Sequence, residues 1–329
     1  MPYSAEIMNR ARQILAQKKA DKESQYQNNL FEAYKTQPRL KEIDLLLRKS
    51  MVLAAQSVFS EGGDPRGTIE QVKQANLALQ KERETLIAAH FPAGFLDDTP
   101  VCPDCGGTGY IGSTMCSCLA QLCLQEQRKE LAQLTGGAER FDTFRLDYYS
   151  DRIDSRYGAS PRMIMKKNLD YCRRYAEAFA HGSGNLLFVG YTGLGKTFLS
   201  ACIANAVTDQ GFSVAYESAA HLFSKLEKDR FTPDDYSRAD VRKIMDCDLL
   251  IIDDLGTEMA GNFVNAAFYN LLNDRLLANK SMLISTNLNV EEIAKRYSPQ
   301  IASRLQGSFK GLTFVGDDIR VLKSKGDLA

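Results

Sequence analysis

The sequence predicts an α/β domain with a largely parallel sheet core, preceded by a helical N-terminal region that carries a small cysteine-rich module. Three observations predict it. From about Phe141 onward, short apolar runs alternate with amphipathic stretches of helical period. One of those runs leads directly into a glycine-rich turn, Gly190 to Thr197. Ahead of Phe141, apolar residues recur at helical spacing, and four cysteines then fall close together.

The elements follow in chain order. Ile7, Ala11, Ile14 and Leu15 recur three or four apart, as do Tyr26, Leu30 and Tyr34, and Pro38 interrupts the pattern. Ile43, Leu46, Leu47 and Val52 mark a second helix, and Gly62, Gly63 and Pro65 a break. A third helix starts near Thr68 and carries Ile69, Val72, Leu79 and Leu86. Residues 1–100 are therefore a helical N-terminal region, ending in a linker over Phe91 to Pro100. Two readings of it stand side by side: a plain bundle with solvated faces, or a helical module that docks a partner. Residues 101–135 hold the cysteines and a helix from Leu119 to about Leu134. Gly136 and Gly137 mark the boundary of the α/β domain, residues 136–329.

Within that domain the expected strands are Leu186 to Val189, Val214 to Tyr216, Leu249 to Ile252, Met282 to Ser285 and Leu312 to Val315. Helices are expected over Thr197 to Gln210, His221 to Arg230, Asn262 to Ala278 and Val290 to Tyr297. Another is opened by Ser298 and Pro299. Buried strands alternating with helices indicate a parallel sheet covered on both faces.

Gly190, Tyr191, Thr192, Gly193, Leu194, Gly195, Lys196 and Thr197 fit the G-x-x-x-x-G-K-[ST] phosphate-loop pattern. Glycines let the backbone turn its N–H groups toward phosphate oxygens, and the following helix adds its positive end. Lys196 is expected to reach the β- and γ-phosphates of ATP, and Thr197 to ligate Mg²⁺. The run Leu249 to Asp254 is a buried strand ending in two carboxylates at the edge where α/β sheets bind ligands. Asp253 is expected to hold Mg²⁺, directly or through water. Asp254 stands where a water-activating carboxylate belongs, with a reach one methylene shorter than glutamate. Asn287 closes a third strand and is placed to orient the attacking water or touch the γ-phosphate. Arg304 and Arg320 are always charged and suit a transition state that gathers charge on phosphate oxygens. By spacing alone, the favoured reading of either is a surface ion-pair partner.

Lysine plus arginine and aspartate plus glutamate each number 41, so the net charge is zero, which excludes a chain that coats DNA through a global basic field. The longest apolar run falls well short of a membrane span, and the N-terminus lacks the apolar centre of an export signal. The expectation is a cytoplasmic protein with no membrane partner. In that compartment Cys102, Cys105, Cys116 and Cys118 favour a metal over disulfides. Two thiolates from a CxxC turn and two from a CxC pair can complete the four-sulfur shell of Zn²⁺, with glycines between them suited to a tight hairpin. Cys123 is an alternative member of the set, and a redox role the minor alternative.

At Gly190 to Thr197, Leu250 to Gly256 (LIIDDLG), Ser285 to Asn287 (STN) and Ser303 to Leu305 (SRL), the chain resembles the AAA+ helicase loaders of the DnaC and DnaI type and the related IstB transposition ATPases. Arg140 to Arg145 resembles the same proteins' lead-in segment near the adenine. The resemblance covers about Phe141 to Lys323. It implies an AAA+ P-loop NTPase core with ATP sites between self-associated subunits. Arg304 would act on a neighbour's γ-phosphate, and Arg320 would sense the phosphates within its own chain. It also implies a weak ATPase that grips single-stranded DNA. The N-terminal region would dock a replicative DNA helicase. The alternative is a transposition accessory ATPase that recruits a transposase. One place for the DNA grip is the helix with Lys225, Lys228 and Arg230, whose plainer reading is an exposed helix face. The segment CPDCGGTG at Cys102 to Gly109 also resembles one cysteine–glycine repeat of the DnaJ chaperones; a single repeat does not carry their function over.

Overall fold

The computed structural model describes residues 3, 5–59, 65–135, 137 and 139–324. The breaks expected at Gly62, Gly63 and Gly136 lie outside the described residues. The chain forms two compact units, Gln13–Cys118 and Met1–Arg12 with Leu119–Ala329.

The first unit is built on helix α1 (Ala5–Thr36) from Gln13 onward, α2 (Pro38–Phe59) and α3 (Pro65–His90). Pro38 opens α2, where a missing N–H is tolerated because first-turn donors have no helical partner. Leu15, Leu30, Ala33, Leu40 and Ile43 are buried. Asp44 on α2 joins the three helices: it accepts from Tyr34 on α1 at 2.7 Å and pairs with Arg83 on α3 at 2.8 Å. The following linker packs back on α1, where Lys22 meets Asp97 at 3.0 Å. A two-stranded antiparallel hairpin, β1 (Tyr110–Ile111) and β2 (Thr114–Met115), then separates the two cysteine pairs.

The second unit continues with α4 (Ser117–Thr135), α5 (Pro161–Glu177), β3 (Asn185–Val189), α6 (Lys196–Asp209), β4 (Val214–Ser218), α7 (Ala219–Phe231), α8 (Asp235–Asp246) and β5 (Leu249–Leu255). It ends with α9 (Asn262–Leu277), β6 (Ser281–Thr286), α10 (Val290–Arg296), α11 (Pro299–Ser308), β7 (Phe309–Thr313) and α12 (Ile319–Ser324). Five parallel strands lie in the order β4-β5-β6-β3-β7. Side chains alternate between the faces with the strand period of two. Leu186, Phe188, Leu249 and Ile251 pack with α5 and α6, while Leu187, Leu250, Ile252 and Ile284 pack with α7, α9, α10 and α11. The result is the expected three-layer α/β core, with the strand ahead of the glycine turn near the middle of the sheet.

Three features depart from expectation. The last strand runs Phe309–Thr313 rather than Leu312 to Val315. Pairing with Asn185–Val189 sets its register, and the apolar Phe314 and Val315 are buried in the turn that follows. Helix α5 was not legible because its sequence is mostly polar, with a single buried stripe of Met165, Leu169, Cys172 and Ala176. Ser160 caps it by accepting from the Met163 N–H. Helix α8 is likewise polar and starts from a capping box between Asp234 and Ser237.

Arg275 on α9 is fully buried. Its guanidinium donates to the carbonyls of Ile244 at 2.8 Å and Met245 at 3.2 Å, which end α8, and to Cys247 at 3.1 Å and Ser281 at 2.8 Å. A cation at a helix C-terminus satisfies both the orphan carbonyls and the helix dipole. Among the described residues no helix is long and apolar enough to cross a membrane.

Candidate nucleotide site and cysteine cluster

The turn Gly190 to Thr197 leaves β3 at its C-terminal end and enters α6 at Lys196. Gly190 lies so close to β7's exit that an added Cβ would stand 2.5 Å from the Phe314 carbonyl oxygen. Gly195 caps α6 at φ +85°, a left-handed conformation that favours glycine, with the Tyr149 hydroxyl 2.8 Å from where a Cβ would sit. Lys196 is buried and donates Nζ to the Gly190 and Tyr191 carbonyls, each at 2.7 Å. Burial pushes its ammonium pKa down and Arg320 adds to that; Asp254 and Asp253 oppose it.

A cavity of about 280 Å³ opens on this turn. Thr192, Gly193, Leu194, Gly195, Lys196 and Thr197 form its floor, and Asp254 and Arg320 border it. Its apolar wall comes from Phe144, Tyr148, Tyr149 and Ile319. The C-terminal helix α12 is fixed over the turn, because the Ile319 N–H donates to the Gly193 carbonyl at 3.0 Å. Lys323 lies over the Tyr148 ring at 5.2 Å.

The two carboxylates differ in environment. Asp253 is buried; one oxygen accepts from the Tyr216 hydroxyl at 3.0 Å and the other from the Ser285 hydroxyl. It stands behind the cavity wall, not on it. Between Ile252 and Leu255 the β5–β6 register shifts by one residue, a bulge on β5. Asp254 sits in it at φ +55°, its N–H donating to Ser285 Oγ at 3.0 Å, and faces the cavity. Desolvation, then the charge of Asp253, raises the Asp254 pKa above the usual carboxylate value; Lys196 and Arg320 pull it back.

Asn287 follows the C-terminal end of β6, exposed and beside Gly256, and does not line the cavity. Arg304 on α11 is also outside its own chain's cavity. It donates Nη2 to the Tyr269 hydroxyl at 2.7 Å and to Asn273 Oδ1 at 3.2 Å. Of the basic residues on α7, Lys225 is paired with buried Glu217 at 2.6 Å and Lys228 with Asp234 at 2.9 Å.

Sequence reasoning missed Tyr149, Tyr216, Ser285 and Glu258. Buried Glu258 accepts from the Gly256 N–H at 2.9 Å and the Tyr297 hydroxyl and pairs with Arg296, tying the loop after Asp254 to α10. The aromatic group Phe141, Phe144, Tyr148 and Tyr149 ahead of β3 was a usable signal for the apolar wall; Tyr216 and Ser285 end expected strands but nothing in their residue types marks them as partners of Asp253, and Glu258 lies in a loop without a motif.

In the other unit, the sulfurs of Cys102, Cys105, Cys116 and Cys118 all lie within 4.8 Å of one another. Cys102 and Cys116 are 3.7 Å apart, and Cys105 and Cys118 3.5 Å. A tetrahedral shell with Zn–S bonds of about 2.3 Å has edges of about 3.8 Å, so these sulfurs fit a Zn²⁺ site. They are too far apart for disulfides, whose sulfurs stand about 2.05 Å apart. The Gly109 N–H donates to Cys105 Sγ at 3.3 Å. Burial opposes ionisation of Cys105, but the Gly109 N–H and its other donors outweigh it and hold the thiol at about 6. Cys123 is not a member: it is buried and donates to Met8 Sδ at 3.9 Å.

Residues 164–303 match the family described as IstB-like ATP binding protein. The chain is 25% identical over 139 residues to the uncharacterized protein YdaV of Escherichia coli (strain K12), covering 42% of this chain and 55% of YdaV. The chain thus spans little more than half the length of that relative. It is 26% identical over 206 residues to the phage-like element PBSX protein XkdC of Bacillus subtilis (strain 168), covering 59% of this chain and 73% of XkdC. Among solved structures, the DnaC helicase loader is 20% identical, with 54% of this chain and 100% of that one aligned at a TM-score of 0.43. DnaI is 18% identical, with 59% and 100% aligned at 0.46.

Proposed function

We propose that this chain, whose α/β domain matches the family described as IstB-like ATP binding protein over residues 164–303, is an ATP-dependent helicase loader acting in DNA replication. The observation that carries the proposal is the pairing of that domain with a separate compact unit, Gln13–Cys118, whose four sulfurs fit one zinc ion. A loader needs a nucleotide-controlled grip and a second surface that holds its protein partner. The helical region 1–100 and the cysteine module 101–135 would supply that surface, and residues 136–329 the ATPase.

ATP would lie in the cavity with its phosphates on the N–H groups of the turn and on Lys196. Thr197, and Asp253 through water, would hold Mg²⁺, which supplies charge neutralisation on the phosphates. Asp254 and Asn287 would orient the attacking water, and Arg320 would report the phosphates within the chain. Arg304 does not border its own cavity, which supports a role on the site of a neighbouring copy in a self-associated assembly. Turnover would be weak, since the short Asp254 takes the water-activating position. Single-stranded DNA is the proposed ligand of the ATPase domain, and the location proposed is cytoplasmic. The ion pairs of Lys225 and Lys228 leave Arg230, which lies over the Phe231 ring, as the candidate cation on α7 for that contact.

The family match favours one second reading, an accessory ATPase that binds DNA and recruits a transposase. Co-purification separates the two. The loader reading expects the full chain to capture the hexameric replicative helicase of its organism, in a manner that changes between ATP and no nucleotide. No complex in either condition sinks it.

A further inference from the structure

We infer that Tyr269 and Asn273 form a seat that aims Arg304 at a neighbouring copy's nucleotide, which makes them positioning residues for hydrolysis. The inference rests on the proposed trans role of Arg304.

Tyr269 and Asn273 are four residues apart on α9, so they share one face of the helix. Arg304 lies across that face. Its guanidinium carbon stands 4.3 Å from the Tyr269 ring centre, and Nη2 donates both to the hydroxyl of the same tyrosine and to the Asn273 amide oxygen. Ring stacking plus two hydrogen bonds on one nitrogen fix the plane of a guanidinium. They leave Nε and Nη1 with acceptor-binding capacity to spare. Among the described residues, Arg304 makes no ion pair.

Two other arginines of the same domain are closed to an outside anion: Arg275 is fully buried with its guanidinium on backbone carbonyls, and Arg296 is paired with buried Glu258. Arg304 is only half-buried, is oriented by neutral groups and keeps its charge for an anion from outside the chain.

The test is a mixing experiment with the full-length chain under assembling conditions at saturating ATP. A Lys196→Ala chain has a disabled site but an intact Arg304. An Arg304→Ala chain has an intact site and no arginine to give. Mixing them should restore turnover where the first chain faces the second. Placing Tyr269→Leu in the Lys196→Ala donor should lower that restored kcat at least about tenfold, with KM little changed, as expected for a misplaced reacting group. Tyr269→Phe, which keeps the ring and loses the hydroxyl bond, should give a smaller loss, as should Asn273→Ala. The same substitutions in the Arg304→Ala acceptor should leave turnover unchanged, whereas a merely structural role would lower it from either side.

If donors carrying Tyr269→Leu or Tyr269→Phe assemble and restore turnover as well as the parent donor, the seat is refuted while the trans role stands. If the parent mixture restores nothing, the trans role falls and the seat with it.

Discussion

The Tyr149 hydroxyl donates to the Leu194 carbonyl at 3.0 Å, joining the segment ahead of the α/β core to the middle of the phosphate turn. The ring is buried against Phe144, so one residue shapes the cavity's apolar wall and fixes its floor. Tyr149→Phe keeps the ring and removes the bond, which leaves a carbonyl unpaired at a net cost of about 1 kcal/mol. ATP affinity should fall, by at most about fivefold if that whole cost is borne by the bound state, in a fluorescent-nucleotide titration, with the fold intact by circular dichroism. Unchanged affinity would separate Tyr149 from the nucleotide site.

Asp254 makes stability depend on pH. Its folded pKa is raised, first by desolvation and then by Asp253, so the ionised carboxylate costs stability at neutral pH. That cost fades as pH falls through the raised folded value and is gone below the ordinary carboxylate range. Asn tolerates the left-handed backbone found here. Asp254→Asn should therefore raise the melting temperature of the nucleotide-free chain at neutral pH, and the gain should shrink toward acid. A gain that is constant with pH would assign the effect to something other than ionisation.

This site shows how far the sequence could be followed. Leu249 to Ile252 reads as a buried strand, and the alternation continues to Asp253. The bulge that turns Asp254 to the cavity has no sequence signature, because it arises from pairing with Ser281–Thr286, far along the chain. The glycine turn was legible because a local backbone requirement dictates its residues. Helices α5 and α8 were not, since each buries a narrow stripe in a polar sequence. Arg304 can be singled out by its short SRL context, while its contacts on α9 cannot, because three-dimensional packing alone brings Tyr269 and Asn273 beneath it.

The cysteine cluster should bind one zinc ion per chain, measured by atomic emission on protein purified without added metal. Cys105→Ser removes the sulfur that accepts the Gly109 N–H and should abolish stoichiometric zinc. A chelator should destabilise the parent but not this variant, since metal affinity is part of the folding free energy of such modules. Equal zinc in both would show that the four sulfurs are not the site.

Arg275 should behave as a structural residue. Arg275→Met retains volume and leaves the carbonyls at the end of α8 without their donor, with an expected loss of about 3 kcal/mol in urea unfolding. Any ATPase activity of the variant should return in proportion to its folded fraction at lower temperature. A specific loss of kcat in fully folded protein would contradict that role.

On the proposed function, ATP sets the hold of this chain on a replicative helicase. The decisive quantity is the dissociation constant of the full chain for the hexameric helicase, measured in ATP, in ADP, without nucleotide, and with Lys196→Ala in ATP. A loader should bind at least several-fold differently in ATP and ADP, and Lys196→Ala in ATP should resemble the parent without nucleotide. Equal binding in all four conditions, or none in any, overturns the proposed function.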